Sequence, residues 1–425
     1  MSNRALIVTA MAYGLIVTAL LVRNGGLLSL AIPFLVYLIL GAARAPMTMS
    51  LSAARTLSAS SAGAGEPVEM RIEVRNSGDT LLQLHLRDAL PASMKLLEGR
   101  PVRQLSLPPG GVAELRYLFS AGRGEYSWQS VLARASDPFG LFPIEQDIPA
   151  PGEMMVRPAR GRQRQVLLRP SFTLHTSGPI PARRAGTGCN FWGVREYRSG
   201  DSLHRLNWRL SARHPRQLFT NEYEREEIAD FGLILDARRL TNADAAEGAM
   251  FEASVSAAAW LAETFIKQGN RVSLLVFGEN LRYVFPGYGK RQLSLVLRAL
   301  ARAALGEAFP IDYLGYMPAR LFPSRSVLVV FSPLGVQDLE AYSRLKASGH
   351  DVILISPDPV HHARIELAPM HGTDRLALRA ARVERALQLD QLARLGVRVI
   401  DWQIDQPLEK AIRPVARDMA HRVNL

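Results

Sequence analysis

The chain has 425 residues, 48% of them hydrophobic, and a formal net charge of +12 that rests almost wholly on arginine. That length fits about two or three domains with real cores. Its single cysteine, Cys189, excludes an intrachain disulfide and fits a reducing compartment. A basic balance points to nucleic acid, anionic lipid or an acidic protein partner, or only to an Arg-rich codon usage. No nucleic-acid-binding module is legible, so nucleic acid is set aside.

Residues 5–22 and 27–43 carry no charge and are separated by Arg23-Asn24-Gly25-Gly26. Each run is close to the minimum for crossing a hydrocarbon core of about 30 Å at about 1.5 Å per residue. The second run follows the first directly, which favours a helical hairpin over a cleaved signal peptide. Pro33 falls early in the second run, where a kink is tolerated. A hairpin returns both ends to one side. Arg4, Arg44 and Arg55 flank that side against Arg23 in the turn, so the positive-inside bias places the remainder in the cytoplasm of an inner-membrane protein.

From residue 66 to about 156 the pattern changes to a period of two. Val68–Arg75 alternates apolar and polar side chains, as do Leu82, Leu84 and Leu86. Asn76-Ser77-Gly78-Asp79 and Pro108-Pro109-Gly110-Gly111 are turn clusters, and Asp137-Pro138-Phe139-Gly140-Leu141-Phe142 closes the unit. Short strands between such turns predict an antiparallel sandwich, similar to immunoglobulin-like spacer modules. Residues 143–185, rich in Pro, Gly and Arg, read as an interdomain linker, with Arg157, Arg160, Arg162, Arg164 and Arg169 facing solvent or lipid headgroups.

Residues 186–213 hold five Arg, two Trp, a Tyr, a Glu, an Asp and four Gly. So dense a mixture of charge and aromatic rings predicts a specified polar network or a partner surface. Arg195, Glu196, Tyr197, Asp201 and Arg213 are the expected network, with Trp208 as a buried anchor. The alternative is the same residues facing a partner. A catalytic reading is weaker. His204, His214 and Asp201 come without a nucleophile elbow, metal-ligand spacing or phosphate loop. Cys189, in Gly186-Thr187-Gly188-Cys189, has no adjacent base and reads as structural.

Beyond residue 226, strand-like apolar runs alternate with helical periodicity. Phe231–Asp236, Arg271–Phe277, Ser326–Phe331, Asp351–Ser356 and Val397–Asp401 are expected strands, with Leu281–Phe285 as a hairpin partner. Helices are expected over 248–268, 291–304, 337–347 and 381–395. This predicts an α/β domain over 226–425 with a mostly parallel sheet covered on both faces and Asp236 on its carboxyl rim. His361-His362 and His371 read as exposed loop residues, and Arg375, Arg379, Arg382 and Arg385 as a solvated helical face.

The order of these parts, with Gly186, Gly188, Phe191, Gly193, Arg195, Glu196, Tyr197, Gly200, Asp201, Arg205, Asn207, Trp208, Ser211, Ala212 and Arg213 at their spacings, resembles the family known as domain of unknown function 58. The resemblance implies a von Willebrand factor A-like α/β domain, a MoxR-type AAA+ ATPase partner and adaptor or scaffold work in envelope maintenance or protein-complex maturation. No enzymatic role is expected; a membrane-surface enzyme is the alternative. Von Willebrand A folds can hold Mg²⁺ through Asp-x-Ser-x-Ser after the first strand. Here the corresponding residues are Asp236-Ala237-Arg238-Arg239-Leu240, and Ser332-Pro333-Leu334 lacks an acid. Arginine cannot ligate a metal. The expectation is therefore a degenerate site with no metal or cofactor and an Asp236–Arg238 ion pair. The domains expected are a hairpin over 1–45, a sandwich over 46–156, a linker and signature segment over 157–225, and the α/β domain.

Overall fold

The computed structural model describes residues 2–159, 180–214, 216–227, 229–242, 248–278, 281–307, 320–335, 338–367 and 371–422. The chain divides into two units, Met1–Arg157 and Pro158–Leu425. The first therefore holds both the hairpin and the β layers. Arg160, Arg162, Arg164 and Arg169 lie outside the described residues.

In the first unit, helices α1 (Asn3–Val22) and α2 (Gly25–Ala43) are long and apolar enough to cross a membrane. The Ser2 hydroxyl caps α1 by accepting from the Ala5 N–H, and the Asn24 carboxamide caps α2 by accepting from the Gly26 N–H. The residues of α1 that are buried are Ala5, Ala12 and Ala19, seven apart on one face; those of α2 are Ala31 and Gly41. Small side chains of this kind let two apolar helices approach closely.

Nine strands follow: β1 (Leu51–Leu57), β2 (Ser61–Gly63), β3 (Val68–Asn76), β4 (Leu81–Arg87), β5 (Met94–Gly99), β6 (Val102–Leu107), β7 (Val112–Ala121), β8 (Gly124–Ser136) and β9 (Ile144–Arg157). They form two sheets, β1-β3-β7-β5 and β2-β9-β8-β4-β6. Both sheets contribute to one core, which includes Met70, Ile72, Leu84, Leu115, Phe119 and Val131. Residues 144–157 are thus a strand paired along β8 and not the start of a linker. A register irregularity between Leu81 and Leu84 also breaks the simple alternation in β4: Leu81, Leu84 and Leu86 are buried while Leu82 is exposed.

An ion pair is buried against this core. Arg55 sends Nη1 to Asp88 Oδ2 at 2.7 Å and Nη2 to Asp88 Oδ1 at 2.8 Å, and both side chains are 0% exposed. Arg55 Nε donates to the Ala150 carbonyl, the guanidinium lies 5.4 Å from the centre of the Trp128 ring, and Tyr117 donates its hydroxyl to Asp88. Burial first, then the Asp88 carboxylate, pushes the Tyr117 phenol up from its ordinary range. Arg55 is therefore a core residue in the folded chain, not a charge displayed beside the hairpin.

The turn after β8 grips the hairpin. The buried Asp137 carboxylate accepts from the N–H groups of Phe139, Leu141 and Phe142 at 3.0, 2.7 and 2.7 Å. The Leu141 carbonyl accepts from the Ser2 N–H, and the Phe139 ring lies 4.6 Å from that of Tyr37. A β-carbon on Gly41 would come within 2.8 Å of Leu141 Cδ1, so that glycine permits the contact.

Among the described residues of the second unit, a two-stranded antiparallel ribbon pairs β10 (Ile180–Glu196) with β11 (Phe219–Glu227). Gly186 through Cys189 lie within β10, where the register shifts, not in a free turn. The excursion between the two strands holds a single 3-10 turn (Leu203–Arg205) and the short helix α3 (Trp208–Ser211). Then come β12 (Asp230–Asp236), α4 (Ala249–Lys267), β13 (Arg271–Phe277), β14 (Arg282–Gly287), α5 (Gly289–Ala301), β15 (Val327–Phe331), α6 (Leu339–Ala347), β16 (Asp351–Pro357), α7 (Pro359–Glu366), α8 (Gly372–Arg394), β17 (Arg398–Trp402) and α9 (Leu408–Arg422).

The sheet order is β14-β13-β12-β15-β16-β17, parallel except for the edge strand β14. One face buries Phe231, Leu233 and Leu235 with α4, α5 and α9; the other buries Ile234, Leu328 and Leu354 with α6 and α8. Gly232 leaves room for the Phe322 ring, which a β-carbon there would approach to 2.5 Å. The expected loop pair His361-His362 lies instead in α7: His361 is buried with Nε2 3.3 Å from Asp405, and His362 Nε2 is 3.1 Å from Glu366.

Removing one partner of a buried ion pair strands the other in a low-dielectric core. Asp88→Ala is expected to destabilise the first unit by about 3–5 kcal/mol, and Arg55→Met/Asp88→Leu to recover most of that loss. Chemical denaturation of the full chain in detergent, compared across the three variants, measures both.

Candidate functional site

The strand order reverses between β12 and β15, which opens a crevice at their carboxyl ends. Asp236, the last residue of β12, is 0% exposed there. Its Oδ1 accepts from Arg238 N–H at 3.0 Å and Arg238 Nε at 2.9 Å. Its Oδ2 accepts from Arg238 Nη2 at 2.7 Å, Thr241 Oγ1 at 3.0 Å and Ser332 Oγ at 2.7 Å. The same guanidinium reaches across to Asp338, with Nη1 3.0 Å from Oδ1 and Nη2 2.7 Å from Oδ2. Asp338 also accepts from the Gly335 N–H at 2.7 Å. Ser332-Pro333-Leu334 after β15 carries no acid; the acid facing Arg238 is Asp338, at the start of α6 and 100 residues away in sequence.

One planar fork therefore bridges two carboxylates, with its back 5.3 Å from the centre of the Phe277 ring. Burial pushes the Arg238 guanidinium down, but the hydrogen bonds to Asp236 and Asp338 outweigh it and raise it above its ordinary value, so it stays charged. Tyr342, buried beneath, is pushed up by burial and then by the Asp338 and Asp236 carboxylates.

A second guanidinium closes the neighbouring strand ends. Arg385 of α8 is 8% exposed and donates to the Pro333 and Pro357 carbonyls, to the carbonyl and hydroxyl of Ser356, and to Asp401 Oδ1 at 2.6 Å. Its Nε lies 3.5 Å from Asp358. It ties α8 to the ends of β15, β16 and β17 and does not belong to a solvated face. Between the two arginines lies a cavity of about 580 Å³, walled by Leu240, Thr241, Pro333, Leu334, Val360 and Gln388, among others. Leu240 is 91% exposed.

The signature segment forms a separate arrangement at the excursion from β10 to β11. Arg195 sends Nη1 and Nη2 to the two oxygens of Asp201, each at 2.7 Å, and Nε to Glu222 at 2.8 Å. Asp201 also accepts from the Arg198 N–H at 2.9 Å. Gly200 supplies the positive φ of 105° that lets the turn close. Asn207 caps α3 by accepting from the Leu210 N–H and donates to Asn221, while Ser211 accepts from the Phe219 N–H. Tyr197 binds the Leu218 carbonyl through its N–H, and Arg205 lies over the Tyr223 ring.

Glu196 contributes only its backbone carbonyl to Arg195, and its side chain is exposed. Two members of the expected network stand outside it. Arg213 is exposed, and Trp208, expected as a buried anchor, is 67% exposed; Leu206 holds the buried position instead. The structure brings Asp236 and Arg238 together, and Arg195 with Asp201, but as two separate groups.

These features define an α/β chain with two apolar helices at its amino end and a carboxyl rim bridged by arginine. Residues 193–391 match the family described as "Protein of unknown function DUF58". The chain is 27% identical over 271 residues to the "Uncharacterized protein YeaD" of Bacillus subtilis (strain 168), an alignment covering 62% of this chain and 65% of that relative, just under two thirds of its length. Among solved structures, it is similar over 45% of its length to 30% of the pilus adhesin SpaC from Lactobacillus rhamnosus GG, at 12% identity and a TM-score of 0.31. It is similar over 26% of its length to 90% of the CARDB domain of the PF1109 protein from Pyrococcus furiosus, at 15% identity and a TM-score of 0.19. Structural similarity at these scores does not bear on fold or function.

Two outcomes follow from this geometry. Replacing Arg238 by Ser leaves two carboxylates and the hydroxyls of Thr241 and Ser332 around a gap, a hard-oxygen set suited to Mg²⁺. Equilibrium dialysis is expected to show Mg²⁺ uptake by Arg238→Ser and none by the native chain. At the signature turn, the Arg195 guanidinium, then the Arg198 N–H, lowers the Asp201 carboxyl from 3.8 to about 2. A depressed acid stabilises the fold above its ordinary value and ceases to do so as pH falls through the depressed one. Protection of the Arg198 amide against hydrogen exchange is therefore expected to persist at pH 3.8 and to disappear as pH falls through about 2.

Proposed function

We propose that this chain is a membrane-anchored adaptor or scaffold that works with a MoxR-type AAA+ ATPase in envelope maintenance or protein-complex maturation. In this reading α1 and α2 make it a multi-pass inner-membrane protein with its large units in the cytoplasm. The first unit's two sheets are an immunoglobulin-like spacer. The second unit is a von Willebrand A-like domain whose cation site has degenerated; its six-strand order with one antiparallel edge supports that reading.

One observation carries the proposal. Arg238 fills the gap between Asp236 and Asp338 and satisfies both carboxylates. Among the described residues, both carboxylates of this rim are engaged by Arg238. What the rim offers is a rigid surface with an open cavity beside it, bordered by the exposed Leu240. Rigid surfaces with an exposed apolar side chain beside satisfied polar groups suit protein docking.

Affinity purification of the tagged full chain from detergent extracts, followed by mass spectrometry, is expected to enrich an AAA+ ATPase. Leu240→Asp is expected to reduce that enrichment about tenfold, as loss of an apolar anchor in an interface does. Purification that enriches no ATPase over a control membrane protein overturns the reading.

A further inference from the structure

The signature excursion leaves a cationic, aromatic surface that the adaptor reading does not use. Between Tyr197 and Leu218 the chain has five arginines, Arg198, Arg205, Arg209, Arg213 and Arg216, and one carboxylate, Asp201. Arg195, outside that stretch, already neutralises Asp201. Four of the five arginines, at 198, 209, 213 and 216, are exposed. Beside them Leu203 is 64% exposed, Trp208 67% and Leu218 48%.

The described residues of the segment are fixed around α3. Asn207 and Ser211 fix α3 on either side of Trp208, and Leu206 is buried. Trp208 is thus held outward by a folded scaffold, with two thirds of its surface exposed. A large apolar ring held in water beside excess positive charge fits a surface that is apolar just below an anionic layer. The headgroup region of a bilayer is such a surface: indole rings settle at that depth, and arginines pair with lipid phosphates above it. The two apolar helices of the same chain would keep this segment near a bilayer by covalent tether, raising its effective concentration there.

We infer that the 197–218 excursion is a peripheral contact with an anionic lipid surface, in which Trp208 and Leu203 enter the interface and Arg198, Arg209, Arg213 and Arg216 bind lipid phosphates. The inference rests on the anchor reading of α1 and α2, not on the ATPase partnership. It assigns an electrostatic role to exposed arginines and an interfacial role to Trp208; Arg195, Asp201, Asn207 and Ser211 serve to hold them.

The test uses the full chain reconstituted into vesicles of phosphatidylcholine alone or mixed with phosphatidylglycerol, with bromine-labelled acyl chains as quenchers. The chain has five tryptophans, so the difference between native and Trp208→Phe emission isolates Trp208. Trp208 is expected to be quenched in phosphatidylglycerol vesicles and not in phosphatidylcholine alone. Raising salt is expected to weaken the quenching, because exposed charges are screened over about 10 Å at 0.1 M. Gln at positions 198, 209, 213 and 216 together is expected to abolish it, and Lys at the same four positions to retain it.

Equal quenching in both vesicle types overturns the electrostatic part of the inference. So does loss of quenching in the Lys variant. Trp208 left open to aqueous acrylamide on phosphatidylglycerol vesicles, or shielded only when RNA or an acidic protein is added, overturns the lipid assignment. Failure of the chain to float with vesicles overturns the anchor reading and this inference together.

Discussion

The guanidinium of Arg238 held between Asp236 and Asp338 is the constraint around which the second unit is arranged. It joins the end of β12 to the start of α6 across the point where the strand order reverses. In open α/β sheets this crevice is where ligands enter, because helices diverge there and strand ends are exposed. Here the crevice is closed by a side chain belonging to one of its own walls. Thr241 and Ser332 direct their hydroxyls to Asp236, so the carboxylate is satisfied on every side by protein groups.

Arginine recurs as a fastener elsewhere in the molecule. Arg55 joins Asp88 and the Ala150 carbonyl inside the first unit, Arg385 gathers the ends of three strands onto α8, and Arg195 closes the signature turn. Each uses the planar fork to reach several acceptors at once, which the point charge of a lysine does less well. The chain's basic balance is therefore not all available to partners. Some of its arginines are internal, and the positive surface narrows to particular places such as the excursion between β10 and β11.

Much of the architecture is visible in the sequence because local pattern and tertiary environment agree. The alternation of Val68–Arg75 is β3, and the apolar runs near 231, 271, 327 and 351 are the parallel strands, since strands covered on both faces are apolar throughout. Where the two disagree, reading by residue type fails. Pro149, Pro151 and Gly152 look like linker, yet they lie in β9, where a register irregularity opposite Trp128 and Ser130 accommodates them. Gly152 is there because Arg55 occupies the space of a side chain. Asp338 could not be paired with Arg238 by spacing, since only the sheet topology brings them together. As an aromatic residue Trp208 reads as inward, but it opens the one-turn α3, and the buried positions there belong to Leu206 just before the helix and Ser211 at its end. Arg385 stands in a row of arginines, and only the position of α8 over the strand ends turns that one inward.

The clasp between the Asp137 turn and the helical pair has a mechanical consequence. Leu141 and Phe139 lock onto Ser2 and Tyr37, so the β layers of the first unit are not hung from the helices by a free swivel. Torque applied to those layers reaches α1 and α2 through several contacts, in addition to the single covalent link after α2. Whatever orientation the helical pair takes, the β layers share it, and they behave as a lever arm with a stiff root.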